Sequence, residues 1–453
     1  MPAKSAEDFT EGPIRKNLIL FVIPLLLSNL FQQLYNAADS VIVGNFVGAE
    51  ALAAVSSSTP LINLMVGFFN GMAIGAGVVI SRFFGARDME KLRHAIHTDI
   101  AFGIICGIFL VVAGSFFTPM ILRWMQTPED IMPQSIAYFR IYCFGIVFSV
   151  LYNIMMGIMN ALGDSRHPLY YLILSSIINI FLDLFLVGVV RLGVGGAAFA
   201  TIMSQAVSSV LCLRKLMKDN TGYRVRIKDI RIERRMLRQI ISFGLPSGVQ
   251  NSVINFANII VQTNINTFAS AAVAGSGAYS KIEGFAFLPI TSFSLGLTTF
   301  IGQNLGAGKY DRAKAGARFG IICSAVLAEC IGVFIFLASP FLVALFNATP
   351  EVVAYGARQA HIESLFYCFL ALSHCIAGVL RGAGKATVPM LIMLSCWCLF
   401  RVAYITITLL FIHRIEVVYM AYPITWMLSS IIFVMCLLKI NWLHALDNRH
   451  AAL

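Results

Sequence analysis

Long apolar runs separated by short polar loops dominate this chain. They fall at about 17–43, 51–80, 95–117, 135–160, 168–190, 194–213, 237–264, 272–301, 315–338, 355–380, 387–412 and 416–439. Each is long enough to cross roughly 30 Å of hydrocarbon as a helix, so the pattern predicts twelve membrane-spanning helices. The first run is interrupted by Asn29, Gln32, Gln33, Asn36, Asp39 and Ser40. Positions 29, 33, 36 and 40 recur at i, i+4, i+7 and i+11 and share one helical face. That face cannot look at lipid. An acid inside a span is expensive unless it meets water or a partner, which makes Asp39 a candidate functional residue.

The pattern repeats with a period of about 221 residues. Pro24 recurs as Pro246, Phe84-Gly85-Ala86 as Leu305-Gly306-Ala307, Pro119 as Pro340, Thr127-Pro128-Glu129 as Thr349-Pro350-Glu351, and Gly163 as Gly384. Six spans per copy is an even number, so both copies enter from the same side as parallel repeats. The expected organisation is a six-helix lobe over 1–213, a basic linker over 214–236 and a second six-helix lobe over 237–453. The polar stripe repeats too: Asn251, Asn255, Asn258 and Gln262 stand at the same spacing as Asn29, Gln33, Asn36 and Ser40, without the acid. One such stripe is as readily interhelical glue. Two at matched positions favour walls of a shared cavity, with Gln33, Asn36, Asn251, Asn255, Asn258 and Gln262 as its lining.

Composition agrees with a membrane protein: 58% hydrophobic and 12% charged over 453 residues, with a mean hydropathy of +0.81, where soluble domains carry about 25% charge. Sorted by alternate loops, 26 of the 33 Lys and Arg fall on one side and four on the other. By the positive-inside rule both termini are expected to be cytoplasmic, in a multi-pass protein of the cell inner (plasma) membrane. That bias, rather than a nucleic-acid surface, accounts for most of the net charge of +11. The N-terminal stretch lacks the short apolar core and small-residue site of a removable leader. The ten cysteines lie in or beside apolar runs without zinc spacing and read as packing residues.

Candidate chemistry gathers in the first lobe. Asn179 and Asp183 are i, i+4 neighbours in span 5, and Thr201 and Gln205 are one turn apart in span 6. Two carboxylates, an amide oxygen and a hydroxyl form a hard-oxygen set suited to a small cation, and close carboxylates can also hold a proton. In the second lobe, Glu283 in span 8 and Arg401 in span 11 are expected to form a structural ion pair, or else a gating contact. The segments around Lys309 and Lys385 lack the spacing of a phosphate loop, so no nucleotide is expected. His94 and His97 read as solvated loop residues. No nucleophile or metal motif points to an enzyme.

Taken together, LYNAADSVIVGNFVGAEALAAV, FGARDMEKLR, GDSRHPLYYLILSSIINIFLD, GVGGAAFAT, IGQNLGAGKYDRAK and LRGAGKATVP resemble the multidrug and toxic compound extrusion (MATE) transporters over nearly the whole chain. The resemblance implies an all-α integral membrane protein of twelve helices in two six-helix bundles that exports organic cations in exchange for Na+ or H+. It implies a first-lobe cation site at Asp39, Asn179, Asp183, Ala197 and Thr201, with Na+ itself held at Asp39, Asn179 and Asp183. Relatives with a span-7 acid have a second site, whereas Ile254 and Asn255 stand there in this chain. Small organic cations and membrane lipid are the expected partners, with no cofactor beyond the coupling ion. The rival reading is a flippase for a lipid-linked saccharide. It would want a basic cavity, and the intramembrane acids Asp39, Asp183 and Glu283 disfavour it.

Overall fold

The computed structural model describes residues 8–125, 127–218 and 222–443. All regular structure among them is helical. The first repeat comprises α1 (Ile14–Phe46), α2 (Ala49–Gly85), α3 (Met89–Trp124), α4 (Met132–Ala161), α5 (Arg166–Asp183) and α6 (Gly193–Lys218). The second comprises α7 (Arg234–Ile265), α8 (Ser270–Gly306) and α9 (Tyr310–Ala344), then two interrupted rods. One is α10 (Pro350–Glu363), a 3-10 turn at Ser364–Phe366 and α11 (Tyr367–Gly382). The other is α12 (Thr387–Met393), a π-helical segment at Leu394–Phe400 and α13 (Arg401–Phe411). The chain closes its helical part with α14 (Ile415–Lys439). Eleven rods among the described residues are long and apolar enough to cross a membrane. The twelfth, α7, has the length but is diluted by its arginines and its polar stripe.

The turns carry the repeat in their backbone. Arg87, between α2 and α3, has φ 57°, and Gly308, between α8 and α9, has φ 68°. Gly163 and Gly384 likewise match at φ 87° and 76°. These are left-handed positions that glycine occupies without steric cost, and Arg87 occupies one against that cost.

Contacts divide the molecule into two compact units, one built on Leu27–Gly248 and the other on Phe9–Leu26 together with Val249 onward. Their boundaries therefore fall inside α1 and α7, close after Pro24 and Pro246, whereas the sequence pattern places the division in the linker. The first unit packs Ile80, Ile96, Ile154, Ile158 and Met159 into a core, with a smaller cluster of Val43, Val55, Val187 and Ala197 beside it. Within it, a side chain on Gly75 would collide with the backbone of Gly244, so these helices approach more closely than any Cβ allows. The second unit is centred on Phe21, Phe300, Tyr367 and Trp426. Phe9 is sealed into it: its N–H donates to Gln303 Oε1 at 3.1 Å, and Arg312 donates through Nε, Nη1 and Nη2 to the carbonyls of Phe9, Gly12 and Glu11.

Phe116 and Phe411 are 76% and 82% exposed, and many large apolar side chains share that condition. In water such belts would drive aggregation; in a bilayer they are the lipid-facing surface.

One loop expectation is corrected. His97 is buried, not solvated. Its Nδ1 lies 2.7 Å from Arg93 O, and its Nε2 accepts the Arg226 N–H of the linker at 3.0 Å. His94 meets Glu233 at 2.8 Å. Histidines in a basic loop look solvated until the linker folds back on the start of α3, with Tyr223 and Val225 buried beneath it.

Candidate functional site

Four helices of the first unit converge on two carboxylates. Asp39 comes from α1, one turn beyond Tyr35, and Asn179 and Asp183 come from α5. Ala197 and Thr201 come from α6, and Tyr138 and Tyr142 from α4. Asp183 is the last residue of α5 before the chain widens into a π-helical turn at Leu184–Val189. Such turns break the i→i+4 ladder and recur at functional positions. Asn179 and Asp183 are fully buried, while Asp39 is half-buried.

The Asp39 and Asp183 carboxyl groups lie in each other's electrostatic field. Yet Asp39 Oδ1, both oxygens of Asp183 and both polar atoms of the Asn179 amide have no partner among the described residues. Thr201 Oγ1 donates to Ala197 O at 3.0 Å, a carbonyl inside the α6 ladder. The Tyr35 hydroxyl lies within reach of Thr201, and Tyr138 shares the same electrostatic neighbourhood. No lysine or arginine among the described residues pairs with either acid. Two anions this close in a low-dielectric interior repel strongly. A proton between them, or a small cation on their free oxygens, removes the repulsion. The structure thus brings Asp39, Asn179 and Asp183 together, with Ala197 and Thr201 on the adjoining helix.

The stripes are placed differently. Gln33 and Asn36 on α1 are exposed, with Gln32 donating to Asn36 Oδ1 at 3.4 Å. On α7, Asn258 and Gln262 are exposed while Asn251 and Asn255 are half-buried, and Gln262 donates to Asn266 Oδ1 at 2.9 Å. Neither stripe is sealed inside its own unit.

In the second unit, Arg401 is 1% exposed. Its Nε and Nη2 donate to Thr425 Oγ1 at 3.2 and 2.8 Å, and its guanidinium stands 5.2 Å from the ring centre of Trp397 and 4.5 Å from that of Tyr422. The expected contact ion pair with Glu283 is absent among the described residues. The guanidinium satisfies itself on a hydroxyl and two ring faces, and Glu283 stays within its field without touching it. Lys281 is exposed.

Several buried or half-buried groups escaped sequence reasoning. Asp99 in α3, Glu329 in α9, Glu363 at the end of α10 and Arg381 in α11 all lie in apolar helices. Asp99 and Glu363 are 2% and 0% exposed. The rule that singled out Asp39, an ionisable residue within a span, applies to each of them. Tyr138 carried no such signal, because a tyrosine in an apolar run looks like packing.

The sequence profile of the MatE family matches residues 24–185 and again 246–407. The chain belongs to the MatE family. The two matched stretches begin at Pro24 and Pro246, so the profile falls once on each repeat of this MATE transporter. Curated relatives include the "Probable multidrug resistance protein YoeA" of Bacillus subtilis (strain 168), 29% identical over 388 residues that span 83% of each chain. The "Probable multidrug resistance protein NorM" of Thermotoga maritima is 26% identical over 85% of this chain and 83% of its own. Among solved structures, an outward-facing "multidrug resistance MATE family transporter of the MOP superfamily" superposes with a TM-score of 0.91 at 22% identity, over 98% of this chain and 99% of that one. At that identity the likeness concerns the MATE fold.

Proposed function

We propose that this MATE transporter exports organic cations by alternating access, in exchange for Na+ or H+ bound in the first lobe. The observation that carries the reading is the Asp39–Asp183 pair, with its unpartnered oxygens beside Asn179 and no lysine or arginine among the described residues paired with it. The names of the curated relatives, multidrug resistance and export proteins, support the cargo class. The ion would be held by Asp39, Asn179 and Asp183, with the Ala197 carbonyl and Thr201 hydroxyl nearby. One charge crossing the membrane potential is worth about 2.3 kcal/mol per 100 mV, enough to drive cargo against a gradient. Coupling requires that ion and cargo bind the two conformations differently. The polar faces of α1 and α7 would supply hydrogen bonds to cargo, and the excess of basic loops on one side would orient both termini to the cytoplasm of the inner membrane.

The test is efflux of an ethidium-like cation from proteoliposomes under a sodium gradient or a pH gradient, each alone. One of the two gradients is expected to drive efflux, and Asp39→Asn and Asp183→Asn are each expected to lower it at least tenfold. Wild-type efflux by Asp39→Asn would refute the coupling assignment.

A further inference from the structure

Between α8 and α9, within the second unit, lies a cavity of about 420 Å3 lined by apolar side chains. Ile282 and Ala286 of α8 and Ile335 of α9 form its buried floor. Phe285, Phe334 and Phe346 form its rim and are 49%, 60% and 53% exposed. Close-packed interiors leave few voids larger than a water, and an apolar cavity without polar partners does not hold water. The rim runs on into the lipid-facing belt: Leu337 stands about one turn beyond Phe334 on α9, and Phe341 one turn further, both largely exposed. At about 30 Å3 per methylene-sized group, the share of a water molecule in the liquid, the cavity holds roughly fourteen such groups. That is the size of one acyl chain.

A cation borders this pocket. Lys281 lies one turn before Phe285 on the same face of α8 and is exposed, and no carboxylate among the described residues pairs with it. Glu283, the nearest acid along the helix, does not face Lys281 at i+2 and lies in the field of Arg401. From Ile282 to Gly302, α8 runs for about 31 Å at ~1.5 Å per residue, the thickness of the hydrocarbon layer. The polar Gln303 and Asn304 follow at one end and Lys281 stands at the other, on the side away from the basic turn at Lys309 and Arg312. A lysine at that edge lays its stem on apolar surface and holds its ammonium at the level of the headgroups.

We propose that the α8–α9 pocket is a binding site for one anionic phospholipid, with an acyl chain filling the cavity and the phosphate resting on Lys281 Nζ. The chain supplies the atoms that the empty cavity lacks, and the phosphate supplies the counter-charge that Lys281 lacks. A cationic cargo molecule does not suit the pocket, because the lining offers it no polar side chain and Lys281 repels it. The site lies in the second unit, apart from Asp39 and Asp183, and does not rest on the transport reading.

Native mass spectrometry of the delipidated full-length protein, titrated with phosphatidylglycerol or with phosphatidylcholine of the same chains, tests this. One phosphatidylglycerol is expected to bind about fivefold more tightly than phosphatidylcholine, the worth of one lysine near an anionic headgroup. Lys281→Gln, at an exposed position, is expected to bring the two lipids level. Ala286→Leu grows a side chain into the cavity and is expected to weaken both lipids at least tenfold, roughly the loss of two buried methylene contacts. An unchanged Tm in detergent shows that each variant is folded, and Lys281→Gln decides the headgroup contact by itself if Ala286→Leu does not fold. Equal binding of the two lipids by the wild-type protein overturns the proposal, as does a preference that survives Lys281→Gln. Displacement of phosphatidylglycerol by an ethidium-like cation also overturns it and makes the pocket a cargo site. Loss of efflux in Asp39→Asn leaves every one of these readings in place.

Discussion

Arg87 and Gly308 stand at the same left-handed turn in the two repeats, and only one of them is glycine. A side chain at Gly308 would meet nothing within 4 Å, so Gly308→Ala isolates the backbone term. It should lower stability by about 1 kcal/mol, read as a lower Tm in detergent, while Arg87→Gly should be neutral or stabilising. The next residue, Asp88, caps α3. Its Oδ1 accepts the Lys91 N–H at 3.1 Å and its Oδ2 meets Lys91 Nζ at 2.7 Å. The bond to the Lys91 ammonium holds the carboxyl below its ordinary value, against a smaller opposing effect of desolvation. A carboxyl so depressed contributes stability above its unfolded value and loses it as pH falls through the folded one. Asp88→Asn should therefore lower Tm slightly at neutral pH, since the site is solvated, and flatten the acid limb, so that the two profiles converge at low pH.

At the scale of the element, the linker is held to α3 by three α3 side chains, one of them His94 at Glu233. His97 accepts from Arg226 N–H, and Thr98 accepts from Glu233 N–H at 3.2 Å. His97→Leu removes the acceptor of the part-buried Arg226 N–H bond, at about 1 kcal/mol. Where cleavage follows local opening, trypsin should cut the linker at least five times faster in that variant, with the helices intact. Helices and repeat could be read from the chain because apolar length and 3.6-residue periodicity are local properties. The break at Ser364–Phe366 and the π-helical segments at Leu184–Val189 and Leu394–Phe400 could not. At the first of these a neighbouring helix competes for the ladder, Glu329 taking the Cys368 N–H. The spacing Asn179–Asp183 put two polar side chains on one face, but their meeting with Asp39 is a tertiary fact.

For the whole molecule, the informative departure is that the units do not coincide with the sequence repeats. Phe9, Leu18, Phe21, Val22 and Leu25 lie in the first lobe of the sequence pattern but belong to the core of the second unit. A fragment beginning at residue 222 lacks all five. Expressed alone it should be degraded or aggregate, and co-expression with residues 1–221 should restore its yield in the membrane severalfold. Equal yield in both cases would show that these side chains add little to the second unit. Because lipid is as apolar as leucine, what is lost is close packing rather than transfer from water.

The strap at Phe9 also sets a schedule. Its acceptor on Gln303 lies 294 residues further along, and at ~5–20 residues per second of synthesis that partner emerges roughly 15–60 s later. Throughout that interval the first half of α1 is in the bilayer with its destination unmade. The earliest segment to enter the membrane is thus among the last to find its place, and the insertion machinery or a surrounding lipid must shelter it until the eighth helix arrives.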